Sequence, residues 1–310
     1  MKASLVVPVY NVAPYARQCL QSIKEQTFKD FECIVIDDQS TDGSYEICAE
    51  EVSRDARFKL FRQPHGELSA ARNYGLSFAS GEYVWWIDSD DYLKPDCIEQ
   101  SLRFMEANSL DMAFFNGEVI DCNSNKEVYR NEANYHIRKG VYSICSGPEM
   151  FTSMIANQDF IYAVFLQCIR RDRIKKLYLD RLPAQDMLYT IQNLLLQRRV
   201  GHLPLNLYSK RSRDGSAVST GMTFDKAYGA YRTVKALLSW IENEDISSKV
   251  GNEAINALEW WMDRMVESMP RRWKALSVQE QDRLKDVPFQ DKWLYRQLIE
   301  EGGTRRHHGK

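Results

Sequence analysis

The 310-residue sequence predicts an α/β fold: a mostly parallel sheet flanked by helices, followed by a C-terminal helical extension. Three observations predict it. Short β-branched runs alternate with segments of helical periodicity through the first half of the chain. The apolar runs are continuous rather than alternating, as in strands buried on both faces by crossover helices. From Phe224 onward the pattern is helical alone, with Trp240, Trp260, Trp261, Trp273 and Trp293 as its anchors.

The elements follow in order. Leu5-Val6-Val7-Pro8-Val9-Tyr10 reads as a buried strand, and Tyr15, Cys19, Leu20 and Ile23 then recur at helical spacing up to Gln26. Phe31 to Ile36 is a second strand. Ser40-Thr41-Asp42-Gly43-Ser44 is a turn and cap cluster that opens a helix from Tyr45 to Val52. Phe58 to Phe61 gives a third strand and Leu68 to Ala79 a third helix, closed at Gly81 before the strand Tyr83 to Ile87. A helix from Asp96 to Asn108 leads to the strand Met112 to Phe115. Residues 117–140 are polar and suggest a hairpin beside the sheet. Helices are expected from Pro148 to Ala156 and Met187 to Gln197, with Leu203 to Tyr208 extended.

Composition narrows the function classes. Lys and Arg number 41 against 43 Asp and Glu, a net charge of −2, so the basic excess of a dedicated nucleic-acid binder is missing. Seven cysteines are scattered without a CxxC pair, which favours reduced thiols in the cytoplasm over a disulfide or zinc framework. The N-terminal apolar run is too short for a signal peptide. No stretch approaches the ~20 apolar residues of a spanning helix.

In a parallel sheet of this kind ligands sit at the carboxyl ends of the strands. The residues there are Asn11, Asp37-Asp38, His65-Gly66 and Asp88-Ser89-Asp90-Asp91. In an extended segment residues i and i+2 point the same way, so Asp88 and Asp90 can converge on one hard cation. Taken alone, an acidic turn capping the next helix explains them as well. Asp37-Asp38 can accept from a nucleotide's base or ribose, or simply cap a turn. Two clusters on successive strands favour a nucleotide-diphosphate cleft. Neither GxGxxG nor GxxxxGK[ST] occurs, so diphosphate charge falls to a metal and basic side chains.

Four motifs stand in order: Ser4-Leu5-Val6-Val7-Pro8-Val9-Tyr10-Asn11, then Ile36-Asp37-Asp38-Gln39-Ser40-Thr41-Asp42-Gly43-Ser44, then Ser69-Ala70-Ala71-Arg72-Asn73-Tyr74-Gly75, then Gly81-Glu82-Tyr83 with Ile87-Asp88-Ser89-Asp90-Asp91. In these the sequence resembles a family 2 glycosyltransferase of the GT-A fold, a Rossmann-like sheet. The resemblance implies an inverting transfer of a hexosyl or N-acetylhexosaminyl group from a nucleotide-sugar, usually a UDP-sugar. It implies Asp38 on the uracil, Pro8, Tyr10 and Asn11 around the base, and Arg72 and Ser89 beside the nucleotide. Asp88 would face the ribose and the metal, with Asp90 the principal ligand of Mn2+ or Mg2+.

An inverting transfer also needs a carboxylate to take the acceptor's proton. The resemblance implies Asp186 for that role, in Leu182-Pro183-Ala184-Gln185-Asp186-Met187, with Gln185 standing where relatives usually carry Glu. Helix-terminus charge stabilisation would explain Asp186 otherwise. Tyr208 to Ser216 resembles a basic segment that closes over the donor, with Arg211 as its candidate donor contact, though a solvated loop has the same composition. His65, a lone histidine in a turn, is read as structural.

The expected organisation is a catalytic domain over 1–220, a helical extension over 221–301 and a disordered tail over 302–310. In the extension Leu258, Trp261, Met262, Met265, Val266 and Met269 share a helical face near Arg264, Arg271, Arg272 and Lys274. Such a face can rest on a membrane surface; packing onto the catalytic domain or a homodimer partner is favoured, since Glu259, Asp263 and Glu267 dilute the charge. The expected function is therefore sugar transfer to a hydroxyl of a saccharide or lipid-linked acceptor, in surface polysaccharide or glycolipid biosynthesis at the cytoplasmic side of the membrane. The alternative is a non-catalytic nucleotide-sugar-binding subunit that supports a partner enzyme. A nucleotidyltransferase is disfavoured by the missing glycine-rich loop.

Overall fold

A computed structural model describes residues 1–121, 136–179, 185–212 and 222–283, with 287 and 291. The strands β1 (Ala3–Val9), β2 (Phe31–Asp37), β3 (Phe58–Arg62) and β4 (Tyr83–Trp86) form where the apolar runs predict them. They alternate with α1 (Ala13–Lys24), α2 (Ser44–Ser53) and α3 (Glu67–Ser77). After β5 (Tyr92–Leu93) and α4 (Cys97–Ala107) come β6 (Met112–Asp121), α5 (Gly147–Ala156), β7 (Gln167–Arg170), α6 (Gln185–Leu195) and β8 (Val200–Ser212). The extension contributes α7 (Phe224–Asn243), α8 (Ile246–Val250), α9 (Asn252–Lys274) and α10 (Val278–Asp282).

The eight strands form one sheet in the order β3-β2-β1-β4-β7-β6-β8-β5. β1 pairs parallel with β2 and with β4, and β2 pairs parallel with β3. The chain therefore leaves β1 toward one side and returns on the other, which opens a crevice at the carboxyl ends of β1 and β4. β7 enters antiparallel between β4 and β6, and β8 runs parallel to β6. The sheet is mixed but mostly parallel.

Period-2 alternation divides the core between two faces. Val6, Ile34, Val84 and Trp86 point to a layer shared with α5, α6, α7 and α9. Leu5, Val7, Val35 and Trp85 point to a layer shared with α1, α2 and α4. Gly75 lets α3 lie directly on β1, because a Cβ there would fall 2.4 Å from Val6 Cγ1. Arg72 is one turn earlier on the same helix face and is drawn under the sheet with it.

Three elements differ from expectation. Residues 117–121 prolong β6 beside β8, past an irregularity at Phe115 to Gly117. Gly117 N–H donates to the His136 carbonyl at 3.0 Å, and the rest of the expected hairpin, 122–135, lies outside the described residues. β8 runs thirteen residues, well beyond Leu203 to Tyr208, because β6 offers it a partner along its length. β7, only four residues long, carries no sequence signal of its own. In the extension Leu258, Met262 and Met269 are buried, with Trp261, Met265 and Val266 packed against the same core. The apolar face of α9 is thus spent inside the protein, against α5 and α7. Among the described residues no helix is long and apolar enough to cross a membrane. The expected tail at 302–310 lies outside the described residues.

Candidate active site

A cavity of about 470 Å³ opens at the carboxyl ends of β1, β2 and β4. Pro8 and Tyr10 line it from β1, Asp38 from β2, and His65, Leu68 and Ala71 from the entry and first turns of α3. Asp88, Ser89 and Asp90 line it after β4, and Lys210 reaches it from β8. Three non-glycine residues at its rim, Asn11, Gln39 and Glu67, have left-handed backbones with φ of 50°, 63° and 69°. Each costs about 1–3 kcal/mol and persists only where neighbours over-determine it. Asn11 shows how: its N–H donates to Ser40 Oγ at 3.1 Å, and its Oδ1 accepts from Thr41 N–H at 2.9 Å. Asn11 therefore ties the end of β1 to the turn after β2 and does not line the cavity.

Asp38 is almost fully buried and well supplied with donors. Gln63 Nε2 and Gly66 N–H donate to its Oδ1 at 2.7 and 2.9 Å. His65 Nδ1 lies 2.8 Å from Oδ2, and its ring stacks on Tyr10 with centroids 4.4 Å apart. Asp37, by contrast, is turned away to Arg62 at 3.0 Å and to the N–H of Ser40.

The second cluster is built on a buried cation. Arg72 is 0% exposed. Its Nη2 donates to Asp88 Oδ1 at 2.9 Å, its Nη1 donates to Asp186 Oδ1, and its guanidinium lies over the Tyr178 ring at 5.2 Å. The resemblance implies Arg72 at the nucleotide; the structure instead sets it beneath the cavity, joining the D-x-D segment to the N-terminus of α6. Burial raises the Asp186 carboxyl above its ordinary pKa, although Arg72 pulls the other way. Gln185 is buried beside it, and its Oε1 has no hydrogen-bond partner.

A third group fixes β8 to the same loop. Tyr208 Oη accepts from Asp88 N–H at 3.2 Å and donates to Asp91 Oδ2 at 2.9 Å. Burial pushes the Asp91 carboxyl up to about 7, against the pull of Lys210, whose Nζ is 3.6 Å away. The resemblance implies Arg211 at the donor. Its backbone N–H donates to Asp91 Oδ1 at 2.7 Å and its side chain to the Asp90 carbonyl at 2.8 Å and Gln18 Oε1 at 2.6 Å. Arg211 thus braces the loop from behind, and its neighbour Lys210 is the cation on the cavity wall.

Two carboxylates, Asp88 and Asp90, share a cavity with the Lys210 cation and with Tyr10 and Asp38, and a third carboxylate, Asp186, is tied to Asp88 through Arg72. That arrangement agrees with the sequence comparison. The sequence model of glycosyl transferase family 2 matches residues 4–166, just over half of the chain. The chain belongs to this family. It is similar to glycosyltransferase GlyA of Streptococcus pneumoniae, with 32% identity over 222 residues, 69% of this chain and 31% of the relative. It is also similar to the glycosyltransferase EpsJ of Bacillus subtilis, with 29% identity over 69% of this chain and 62% of the relative. The chain thus spans less than two thirds of either relative's length. In fold it resembles Staphylococcus aureus TarS, at a TM-score of 0.64 and 20% identity over 98% of this chain and 82% of that one. TarS has also been solved in complex with UDP-GlcNAc, a structure matched at a TM-score of 0.60 with 21% identity over 97% of this chain and 91% of that one. A mannosyltransferase from Pyrobaculum calidifontis, solved with GDP-Man and Mn2+, matches at 0.61 with 14% identity over 97% and 84% of the two chains.

The donor set can be tested for a metal. Among the described residues no cluster of three or more His, Cys, Asp or Glu could hold an ion alone. Asp88 and Asp90 offer a pair of hard oxygen ligands on a cavity wall, with Asp88 Oδ1 partly committed to Arg72. Such a pair fits a divalent cation that completes its shell with water and a diphosphate. Sequence reasoning missed Tyr178, and it gave Asp91 and Tyr208 no role of their own within the segments that contain them. Lys210 is legible only as one of three basic residues, with Arg211 and Arg213, in the segment from Tyr208 to Ser216; that it turns inward depends on the pairing of β8.

Proposed function

We propose that this family 2 glycosyltransferase moves a sugar from a nucleoside-diphosphate sugar, of the UDP class, to a hydroxyl of a saccharide or lipid-linked acceptor with inversion. The observation that carries the reading is the shared guanidinium: Arg72 bonds a carboxylate of the donor wall, Asp88, and the candidate base, Asp186. One rigid cation thereby sets the position of the base relative to the donor. Tyr10 offers the nucleobase a ring to stack on, and Asp38 an acceptor for its N–H. Asp88 and Asp90 would hold Mn2+ or Mg2+, with Ser89 packed between them. Bound there, the cation would neutralise the diphosphate as a leaving group. Lys210 adds positive charge on the same wall. Asp186 takes the proton of the acceptor hydroxyl while its oxygen attacks the anomeric carbon from the face opposite the diphosphate. The anomeric C–O bond breaks, its electron pair leaves with UDP, and the proton stays on Asp186.

The reading is completed by an acceptor in surface polysaccharide or glycolipid biosynthesis, used at the cytoplasmic side. The test is release of UDP from a panel of UDP-sugars with Mn2+. Release should fall at least a hundredfold in Asp90→Ala, and equal release in that variant would sink the reading. Gln185 supports a second reading, a non-catalytic donor-binding subunit, because its buried amide cannot supply the charge of a Glu. Metal-dependent UDP binding without turnover on any acceptor would favour that subunit.

A further inference from the structure

The base slot already contains a ring. His65 lies on Tyr10 with centroids 4.4 Å apart and planes 23° from parallel. Its Nδ1 is 2.8 Å from Asp38 Oδ2 and 3.2 Å from the Asp38 carbonyl oxygen. Both of those atoms are acceptors, so Nδ1 must carry the proton. A flat ring stacked on Tyr10 and donating one N–H to Asp38 is also what a bound pyrimidine would be. We infer that His65 stands in for the nucleobase in the free protein, and that its displacement sets nucleobase affinity; this rests on assigning Asp38 to the base.

The partners of Asp38 differ in how readily they can leave. Oδ1 is held by Gln63 Nε2 and by the backbone N–H of Gly66. A carboxylate has about four acceptor positions, so the oxygen facing His65 is where a further donor can enter. His65 has a side chain 47% exposed, and its own backbone N–H is pinned to Gln39 Oε1 at 3.1 Å. Its imidazole can therefore swing into solvent about χ1 while the loop stays in place. The stack and the hydrogen bond lost on the way out are replaced by the same two interactions with the base, so the exchange lowers affinity without blocking entry. A residue with no ring at this position would leave both interactions free for the ligand.

Uridine is the probe, since it has no diphosphate and isolates the slot from the metal. By calorimetry at neutral pH, His65→Ala should bind uridine about three- to tenfold more tightly than wild type, roughly the net worth of one hydrogen bond. Unchanged or weaker binding would show His65 to be a platform and overturn the inference. In the unaltered protein the His65 ring protons should be shifted upfield by the Tyr10 ring and return to solvent-like NMR positions as uridine saturates. Signals that stay upfield at saturation overturn it independently of any substitution. Asp38→Ala separates the two levels. Loss of uridine binding there supports the base slot whichever way His65→Ala goes, whereas wild-type affinity removes the slot and this inference with it.

Discussion

The two ends of the cavity use the same chemistry, a carboxylate held by a cationic or N–H donor, in opposite surroundings. At the Tyr10 end, Asp38 meets a half-exposed imidazole that can leave. At the Asp186 end, Asp88 and Asp186 meet a guanidinium with no exposure at all, across 114 residues of sequence. In a dry environment an ion pair is strong, and leaving one of its charges alone is costly. In a wet one the pair is weak and exchangeable. The exposed end is thus suited to recognising and releasing a ligand, and the buried end to keeping a reactive carboxylate in one place.

The comparison breaks most visibly at Asp186. Asp186→Asn keeps the shape and removes the proposed base, so transfer should fall on the order of a thousandfold, within the range of general base catalysis. UDP affinity should stay within a few-fold of wild type. A fall of less than tenfold, with an acceptor present, would remove Asp186 from the reaction. Next in size is Arg72. Arg72→Met leaves two carboxylates facing each other without a counter-charge, and should cost about 3–5 kcal/mol of stability by urea denaturation. If the loss were below about 1 kcal/mol, the guanidinium would be no more than a surface partner.

How far the sequence revealed these two ends follows from the range of the contacts. β1, β2 and β4 were readable because each is a continuous apolar run, and the turn cluster at Ser40 to Ser44 because its side chains bond within a few residues or to the adjacent loop. Asp37-Asp38 is therefore visible as a local acidic cluster, whereas Tyr10 and Arg72 as site residues come from the family resemblance, and the burial of Arg72 has no local sign. A charged residue on a helix is exposed by default, and only the approach of α3 to β1 at Gly75 puts it under the sheet. β7 and the inward turn of Lys210 depend on pairings that join distant segments, and no local signal marks such pairings. His65 was read as structural because a lone histidine in a turn usually is. Its stacking on Tyr10 depends on how the loop after β3 folds across the end of β1.

The smallest expected effect concerns protons at the buried end. In the proposed mechanism Asp186 acts as a base only when ionised, and burial raises its pKa above the ordinary aspartate value. The rate of transfer at saturating donor should therefore drop, as pH falls, through a midpoint above that of a normal aspartate. Arg72 is the main influence opposing this rise, so weakening its contact must move the midpoint further up, never down. Arg72→Lys keeps one positive charge but cannot reach both Asp88 and Asp186 in a planar fork. In that variant the acid limb of kcat should shift upward, while uridine affinity, which involves the other end of the cavity, should keep its wild-type pH profile. A limb that stays at the ordinary aspartate value in both proteins would mean that Asp186 is solvated during turnover, and that the two ends do not differ in the way their burial implies.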